Sequence, residues 1–573
     1  MMQKRWILKQ ADQDRVSDLA QNLKIPPLLA LLLIHRGLSH PEAARSFFSS
    51  SLRSDLPSPF LMAGMEEAVE RLVSALRSNE KICVWGDYDV DGTTGAAALV
   101  SFLRELGADP LYYIPHRIHE GYGLNPEGLR RLKASGAQLI VTVDCGISNA
   151  AEVEVARQLG IDIVIVDHHE LPEKMPSAAA VINPHRHDCA FPDKGLSAAG
   201  LAFYLIIGLR AKLRELGWFG TGSAPDIRAL LDIVALAAIA DMVPLKGVNR
   251  VLTRRGLGEL GGALRPGIRA LKQVAGIPQG SVGAGQVAFR LSPRINAAGR
   301  MDAGLKVVEM LTTDSHEVAL RIAQELDEHN RARQEVESWV LGEALSQIDG
   351  EKISKDRYSM VVASEGWHPG VLGIVASRIV ERYHRPAVVI GFDQGRGKGS
   401  ARSIRGFHMV DGLKKCAELL EGFGGHEFAG GLTIKKDKWP LFCERFEEIA
   451  RAALSSEDLV PFIEVDAELS FSEIDMPLVR KLRDFEPFGI GNPEPLFMTG
   501  GVEVAEIREF NGGCRLRVRQ ANRTLGAVIF GFAPDPPLEK SAKLDLVYRL
   551  NENEWNGTSA AELRVVDTRP ARG

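Results

Sequence analysis

The sequence predicts an α/β protein: a mostly parallel sheet with helical crossovers, a second and smaller αβ region, and a β-rich C-terminal part. Three observations carry this. Between Lys81 and Pro184, short β-rich runs alternate with amphipathic stretches, a pattern that implies parallel strands joined by helices. The alternation returns from Ser359 to about Ile434. From about Phe462 onward, runs such as Arg515–Arg519 and Leu544–Tyr548 suggest a small all-β domain.

The elements follow in order. Residues 1–50 are expected to form a helical extension, with an apolar patch at Pro27 to Ile34. Lys81–Trp85 reads as a buried strand and Thr94–Leu106 as a helix. Gln138–Val143 is a second strand, Ser148–Leu159 a second helix and Ile161–Val166 a third strand. Asp314-Ser315 can cap a helix that runs to about Ile348 with few breakers. Such a helix spans about 50 Å and would act as a rigid connector; two ordinary helices with a break fit the pattern equally. Beyond it come a strand at Met360–Ala363, a helix at Ile374–Tyr383 and a strand at Ala387–Gly391. The expected boundaries are 1–50 for the extension, 51–304 for the first αβ domain, 305–349 for the connector, 350–458 for the second αβ domain and 459–573 for the β domain.

A chain of 573 residues can bury several cores without help from disulfides or structural metal. Its 45% hydrophobic and 25% charged residues exclude fibrous, disordered and multi-span membrane classes. The stretch from Leu230 to Leu245 is interrupted by Asp232 and Asp241 and is too short to span a bilayer. The opening Met1-Met2-Gln3-Lys4-Arg5-Trp6 leads into polar sequence, not an apolar signal core. Six scattered cysteines include no zinc-type spacing, so a reducing cytoplasm is the simplest expectation. The net charge of -5 does not announce a strongly basic nucleic-acid binder. One segment departs from it: between Arg378 and Arg405, Arg378, Arg382, Arg385, Arg396, Lys398, Arg402 and Arg405 face only Glu381 and Asp393. Its alternative reading is a merely solvated surface.

The chemistry is concentrated where the strands end. The first runs into Asp87-Tyr-Asp89-Val-Asp91-Gly92, the second into Asp144-Cys-Gly146 and the third into Asp167-His168-His169. In an open parallel sheet these ends share one edge, and ligands bind there. Asp241 closes a strongly apolar helix and is expected to join them. So many carboxylates repel and raise one another's pKa, and a divalent metal relieves this. Mixed carboxylate and imidazole donors suit Mn²⁺, with Mg²⁺ at all-oxygen positions. A single Asp after a strand is commonly a helix cap, and a single His is commonly a core residue. A calcium loop is disfavoured, because the twelfth position from Asp87 is Ala98 rather than a bidentate Glu. The expected reaction is two-metal hydrolysis of a phosphoester or phosphoanhydride.

These segments resemble the four motifs of the DHH phosphoesterase superfamily. Pro115–Gly123, Pro293–Arg300, Leu326–Asn330, Gly366–Gly373, Lys398–Arg402, Phe423–His426 and Pro487–Glu494 extend the likeness to its bacterial single-strand-specific exonucleases. The resemblance implies a DHH-type parallel-sheet domain, a connector helix, a DHH-associated α/β domain and an OB-like barrel. It implies 5′-to-3′ digestion of single-stranded DNA to 5′-mononucleotides, in recombination and repair, with Mn²⁺ or Mg²⁺. Asp89, Asp91, Asp144, His168 and Asp241 fall on metal-ligand positions, with Asp87 beside them, and His169 falls where the superfamily contacts the scissile phosphate. Related phosphatases carry a His where this chain has Trp85; either Asp87 replaces it or one metal site is weaker.

Ser400 and Arg402, with nearby backbone N–H groups, could hold a terminal phosphate; the resemblance adds Arg117, whose alternative reading is a surface salt bridge, and Arg300 to 5′-end recognition, with His426 nearby. Gly395–Ser400 would act as a phosphate loop there. Phe510, Phe530, Phe532, Tyr548 and Trp555 are available for stacking in the barrel, though most read as core. A monomer is expected, with single-strand-binding protein and a RecQ-type helicase as implied partners. Rival readings are a pyrophosphatase or a phosphodiesterase for short oligonucleotides or cyclic dinucleotides, and a DNA-binding scaffold without catalysis.

Overall fold

Near the N-terminus lies a strand, where a helix was expected. β1 (Arg5–Leu8) pairs in parallel with Phe462–Val465, and Lys9 Nζ bonds Asp466 Oδ1 at 3.1 Å. A four-residue strand whose partner lies more than 450 residues away has no local signature. Helices follow at Gln13–Leu23, Pro27–Ile34 and Pro41–Phe48, as the apolar patch suggests. The computed structural model describes residues 4–116, 119–299, 304–350, 356–531, 537–555 and 558–571, except the side chains of Trp555 and Thr558.

The chain divides into two compact units. One comprises residues 11–330 and 475–495, the other 1–10, 331–474 and 496–573. The helical extension is therefore not separate from the first αβ domain. Arg250 ties them: its guanidinium donates to Phe47 O at 2.8 Å and to Phe485 O at 2.9 Å. Such long-range backbone capping leaves no trace in composition.

The first unit is organised around β2 (Ile82–Gly86), β3 (Leu111–Tyr113), β4 (Leu139–Val143), β5 (Asp162–Val166) and β6 (Ala180–Ile182). All pair in parallel in the order β3-β2-β4-β5-β6. Both faces are covered, which is why the strands read as continuous apolar runs. Ile82 and Val84 enter one core with Leu139, Val141 and Val164. Cys83 and Trp85 enter the other with Ile140, Ile163 and Ile165. The strand order reverses beside β2, which places a crevice at the carboxyl ends of β2 and β4.

Close helix packing supports one edge of that crevice. A Cβ at Gly256, on helix Gly247–Gly262, would lie 2.0 Å from Leu231 O and 2.6 Å from Ala235 Cβ. Helix Leu231–Ala240, which ends at Asp241, is pressed against it. Gly256→Ala is expected to lower stability by about 1–3 kcal/mol, read as a fall in thermal midpoint; an unchanged midpoint would contradict the packing.

The helix expected after Ser315 is a single element, His316–Gly350, of 35 residues, and Ser315 Oγ caps it through Val318 N. Its start corrects the connector boundary, since Gly304–Thr312 is a separate helix. The second unit contains β7 (Met360–Glu365), β8 (Ala387–Asp393), β9 (Arg396–Arg402), β10 (Leu420–Gly425) and β11 (Ala429–Lys435). They form one mixed sheet in the order β10-β11-β9-β8-β7. Only β7 and β8 are parallel.

The same unit holds β12 (Phe462–Val465), β13 (Ala467–Glu468), β14 (Phe497–Phe510), β15 (Gly513–Gln520), β16 (Arg523–Phe530), β17 (Lys543–Trp555) and β18 (Thr558–Pro570). Pairing of β14 with both β15 and β17 closes a five-stranded barrel through β16 and β18. Tyr548 is core, with its hydroxyl 2.7 Å from Thr499 Oγ1. Phe510 and Phe530 form an exposed edge-on pair with ring centroids 5.6 Å apart. Phe532 lies outside the described residues. Among the described residues, no helix is long and apolar enough to cross a membrane.

Candidate metal centre and phosphate-binding surface

The acidic residues converge because each follows a strand or caps a helix at the same sheet edge. Asp87 follows β2, and its backbone N bonds Val143 O at 3.1 Å. Asp89 is the N-cap of helix Val90–Glu105, accepting from Gly92 N at 3.0 Å. The helix starts four residues before the expected Thr94, so Asp91 lies in its first turn. Asp91 is 1% exposed and accepts from Ala198 N at 2.6 Å and Ala199 N at 2.8 Å, the start of helix Ala198–Glu215. It thus serves a helix N-terminus as well as the cluster. Asp144 follows β4 with φ +66°, and Asp241 is the C-cap of its helix.

Among the described residues, three donor sets lie close enough to hold an ion: Asp87, Asp89 and Asp144; Asp91, His168 and Asp241; and Asp144, His168 and His169. The donor atoms within each set lie within 4.8 Å of one another. His168 Nε2 is 3.1 Å from Asp144 Oδ1, 3.7 Å from Asp241 Oδ2 and 3.8 Å from Asp91 Oδ2. The sets share Asp144 and His168, the arrangement expected of two adjacent ions with a common ligand.

The electrostatics fit a bound cation. Burial, and then the Asp89 and Asp91 charges, hold Asp144 well above the ordinary carboxylate range. Burial, followed by Asp91 and Asp89, pushes Asp241 up to about 8. Burial also raises Asp91. Asp144 Oδ1 is buried and, among the described residues, has no well-formed hydrogen bond, although His168 Nε2 stands 3.1 Å away. Without a cation these groups would not all ionise at neutral pH. The mixed oxygen and nitrogen donor set fits Mn²⁺ or Mg²⁺.

Two questions left by the sequence are answered by side-chain direction. Trp85 points into the opposite core, its ring tilted 37° against Tyr113 with centroids 4.4 Å apart. It is therefore no part of the cluster, whereas Asp87 stands in a donor set. Asp167, which also ends a strand, is not in any set. Burial raises its pKa, but hydrogen bonds from His169 and from Ile147 N outweigh this and hold it below the usual range. His169 Nδ1 lies 2.7 Å from Asp167 Oδ1, and this bond raises the imidazole's pKa. Tyr122 Oη donates to Asp144 O at 2.8 Å and lies 3.2 Å from the same nitrogen. Asp167 and Tyr122 thus orient His169, a role the linear motif does not separate from ligation.

Ser400, Arg402 and His426 belong to the other unit. The expected phosphate loop at Gly395–Ser400 is instead a β-hairpin: Gln394 and Gly395 make the turn, with φ +48° and +79°, and β9 begins at Arg396. Gly397 and Gly399 are small because Ile390, Phe392 and Leu432 lie under 3 Å from where a Cβ would stand. Ser400 and Arg402, two residues apart, share a face of β9. Arg402 Nη1 lies 3.2 Å from Ser400 Oγ, and a Cβ on Gly373 would sit 3.0 Å from Arg402 Nη2 and 3.1 Å from Ser400 Oγ. Burial pushes the Arg402 guanidinium down. His426 is exposed in the β10–β11 connection, its N–H donating to Ala429 O at 2.7 Å. Arg117 and Arg300 lie outside the described residues.

The basic segment is smaller than its sequence suggests. Arg378 pairs with Glu381 at 3.1 Å, Arg382 approaches Asp349 at 3.9 Å and Arg396 pairs with Glu421 at 2.7 Å. Arg385 is spent on carbonyls, including Leu459 O at 2.9 Å, and Arg405 lies over Phe462 at 5.6 Å. Lys398 and Arg402 have no carboxylate partner among the described residues, and both lie on the Ser400 face. That face continues onto bare backbone. Gly431 pairs with Ser400, Gly424 with Gly431 and Gly422 with Thr433. A Cβ on Gly422 or Gly424 would meet nothing within 4 Å, and on Gly431 only Gly399 O at 3.9 Å. None of the three has positive φ. Gly422 adjoins a register shift after Leu420, whereas no close contact or positive φ explains Gly424 and Gly431; interior strand glycines mark bulges, tight bends or sites where a ligand or another backbone approaches closely.

Comparison with known proteins gives three family matches. Residues 81–238 match the DHH family, N-terminal domain; residues 357–452 match the DHHA1 domain; residues 465–567 match the RecJ OB domain. The single-stranded-DNA-specific exonuclease RecJ of Escherichia coli is 39% identical, over 98% of this chain and 99% of that protein. The Bacillus subtilis protein of the same name is 36% identical over 98% of this chain and 70% of its own length. The crystal structure of RecJ from Thermus thermophilus in complex with Mn²⁺ superposes with a TM-score of 0.83 at 32% identity, covering 99% of this chain and 80% of that one. The Mg²⁺ complex gives 0.78 at 30% identity, covering 99% and 79%.

Proposed function

The chain belongs to the RecJ family and is a single-stranded-DNA-specific exonuclease that uses Mn²⁺ or Mg²⁺, and from that premise we propose that it degrades strands from the 5′ end to 5′-mononucleotides. The observation that carries the reading is the shared donor cluster of Asp87, Asp89, Asp91, Asp144, His168 and Asp241 at one sheet edge. The bound metal would lower the pKa of an attacking water and stabilise the leaving 3′-oxygen.

The chain's own residues do the rest. His169, held by Asp167 at 2.7 Å and about half exposed, presents a hydrogen-bond donor to the scissile phosphate. Asp91 fixes the start of a second helix against the cluster. Arg402, Ser400 and Lys398, with His426 beyond them, receive the terminal phosphate as non-sequence-specific contacts. Arg117 and Arg300 are proposed for the same task by family likeness. End-labelled single strands digested with Mn²⁺ should release labelled mononucleotide from the 5′ end first; release from the 3′ end would overturn the polarity.

The glycine-paved face of β10 and β11 is proposed as the floor on which the strand lies. Gly431→Val is expected to raise KM for single strands about tenfold, equivalent to about 1.4 kcal/mol, with an unchanged or higher thermal midpoint. A stability loss with unchanged KM would show the glycine to be structural. We further propose a cytoplasmic setting, consistent with six cysteines, none of them in a disulfide among the described residues. Single-strand-binding protein and a RecQ-type helicase are proposed partners, testable by co-purification with the full chain.

A further inference from the structure

An open-mouthed cavity of about 700 Å³ lies in the unit that holds the acidic cluster but is lined by none of its residues. One wall is apolar, formed by Leu38, Phe47, Leu56 and Pro57. Arg36, Lys246 and Arg250 supply positive charge, and Asp55 and Asp193 are the acids present. Both acids are engaged internally. Asp55 accepts from Ser49 Oγ, Ser51 N and Ser54 Oγ. Asp193 accepts from Gly195 N and Val248 N.

Arg250 is the unusual member. It is 2% exposed, lies 3.7 Å over the Phe47 ring, and donates only to the carbonyls of Phe47, Phe485 and Asp484. No carboxylate pairs with it among the described residues. Burial, then Arg254 and Arg36, push its guanidinium down to about 9. Carbonyls satisfy its hydrogens without neutralising its charge, and a buried charge without a counter-ion is costly. Lys246, exposed at the rim, also has no ion pair among the described residues.

We propose that this cavity binds a nucleoside monophosphate, the phosphate on Lys246, Arg36 and Arg250 and the base against Leu38, Phe47, Leu56 and Pro57. The volume lies within the usual range for small-ligand sites, about 300–1,000 Å³, and a nucleotide offers both an apolar face and an anion. The ligand belongs to the class of the proposed reaction product. Its wall is also tied to the metal centre. Lys246 follows Asp241 by five residues, and the segment between them is pinned by Leu245 N to Ile490 O at 2.8 Å and by Asn249 Nδ2 to Pro244 O at 3.2 Å. Occupancy of the cavity therefore bears on the segment that presents Asp241, as feedback from product would require.

The test is calorimetric titration of deoxyadenosine monophosphate into the full chain in chelator, with inorganic phosphate and deoxyadenosine as separate arms. Binding is expected to weaken at least tenfold in Lys246→Glu and in Ser46→Trp, which fills the cavity mouth, and to persist in Asp89→Ala. Lys246 and Ser46 are both exposed, so circular dichroism should be unchanged in either variant. No binding, or binding lost in Asp89→Ala but not in the cavity variants, overturns the proposal. Phosphate binding as tightly as the nucleotide overturns the role of the apolar wall. The titration needs no turnover, so failure of the 5′-exonuclease reading leaves its outcome unaffected.

Discussion

Asp89→Ala is expected to slow digestion of single strands about a thousandfold or more while leaving strand binding in chelator intact. Metal-assisted charge stabilisation contributes several kcal/mol to such reactions, and each 1.36 kcal/mol is about tenfold in rate. Asp89 lies in the donor set with Asp87 and Asp144, so its loss should remove one ion or misplace it. It also caps helix Val90–Glu105 through Gly92 N at 3.0 Å, and loss of the cap alone would cost about 1 kcal/mol of stability. Asp89→Asn separates the two effects, because asparagine caps as well as aspartate but carries no charge. Both variants should lose activity, and only the alanine should lose stability. Retained Mn²⁺-dependent digestion in either would sink the assignment. Metal titration of the asparagine variant should show at least one site weakened.

Arg402→Ala should slow digestion of 5′-phosphorylated strands selectively, as its proposed contact with the terminal phosphate requires. A hydrogen bond to a charged group contributes about 1.5–3 kcal/mol, so kcat/KM on phosphorylated strands should fall about tenfold to a hundredfold. Digestion of 5′-hydroxyl strands should change little. The two-substrate comparison matters because Arg402 is partly buried and also touches Ser400 Oγ and Ala401 O. A structural defect would slow both substrates alike. Arg402→Lys should recover part of the charge without the guanidinium's planar fork. An equal loss on both strands in Arg402→Ala would remove the residue from end recognition.

The parallel sheet and its acidic edge were legible because both signals are local. Buried parallel strands read as apolar runs, and Asp87, Asp144 and Asp167 each stand within two residues of a strand end. The barrel's strands were legible in part, through alternation in Arg515–Arg519. What was not legible depended on distant partners. β1 is a strand only because β12 pairs with it. Residues 475–495 belong to the other unit from the barrel they interrupt, held through arginines that bond backbone carbonyls. Asp167 and Asp144 occupy the same kind of position in sequence, and only the third dimension turns one toward His169 and the other toward the donor cluster.

The basic segment shows the same division. Its seven cations were counted correctly, but Arg378, Arg382 and Arg396 have acid partners that lie up to 41 residues away in the chain. Residue type and spacing by themselves determined the fold class, the hydrolytic metal chemistry and the family, because those are written in periodicity and in which side chains end each strand. Tertiary structure alone decided which carboxylates come within reach of a common ion, which cations of the basic segment meet acid partners, how open the surface is beside Gly422, Gly424 and Gly431, and where a buried arginine lines a cavity. Each of these is a matter of burial and long-range pairing, and in a linear sequence a paired charge and an unpaired one are the same letter.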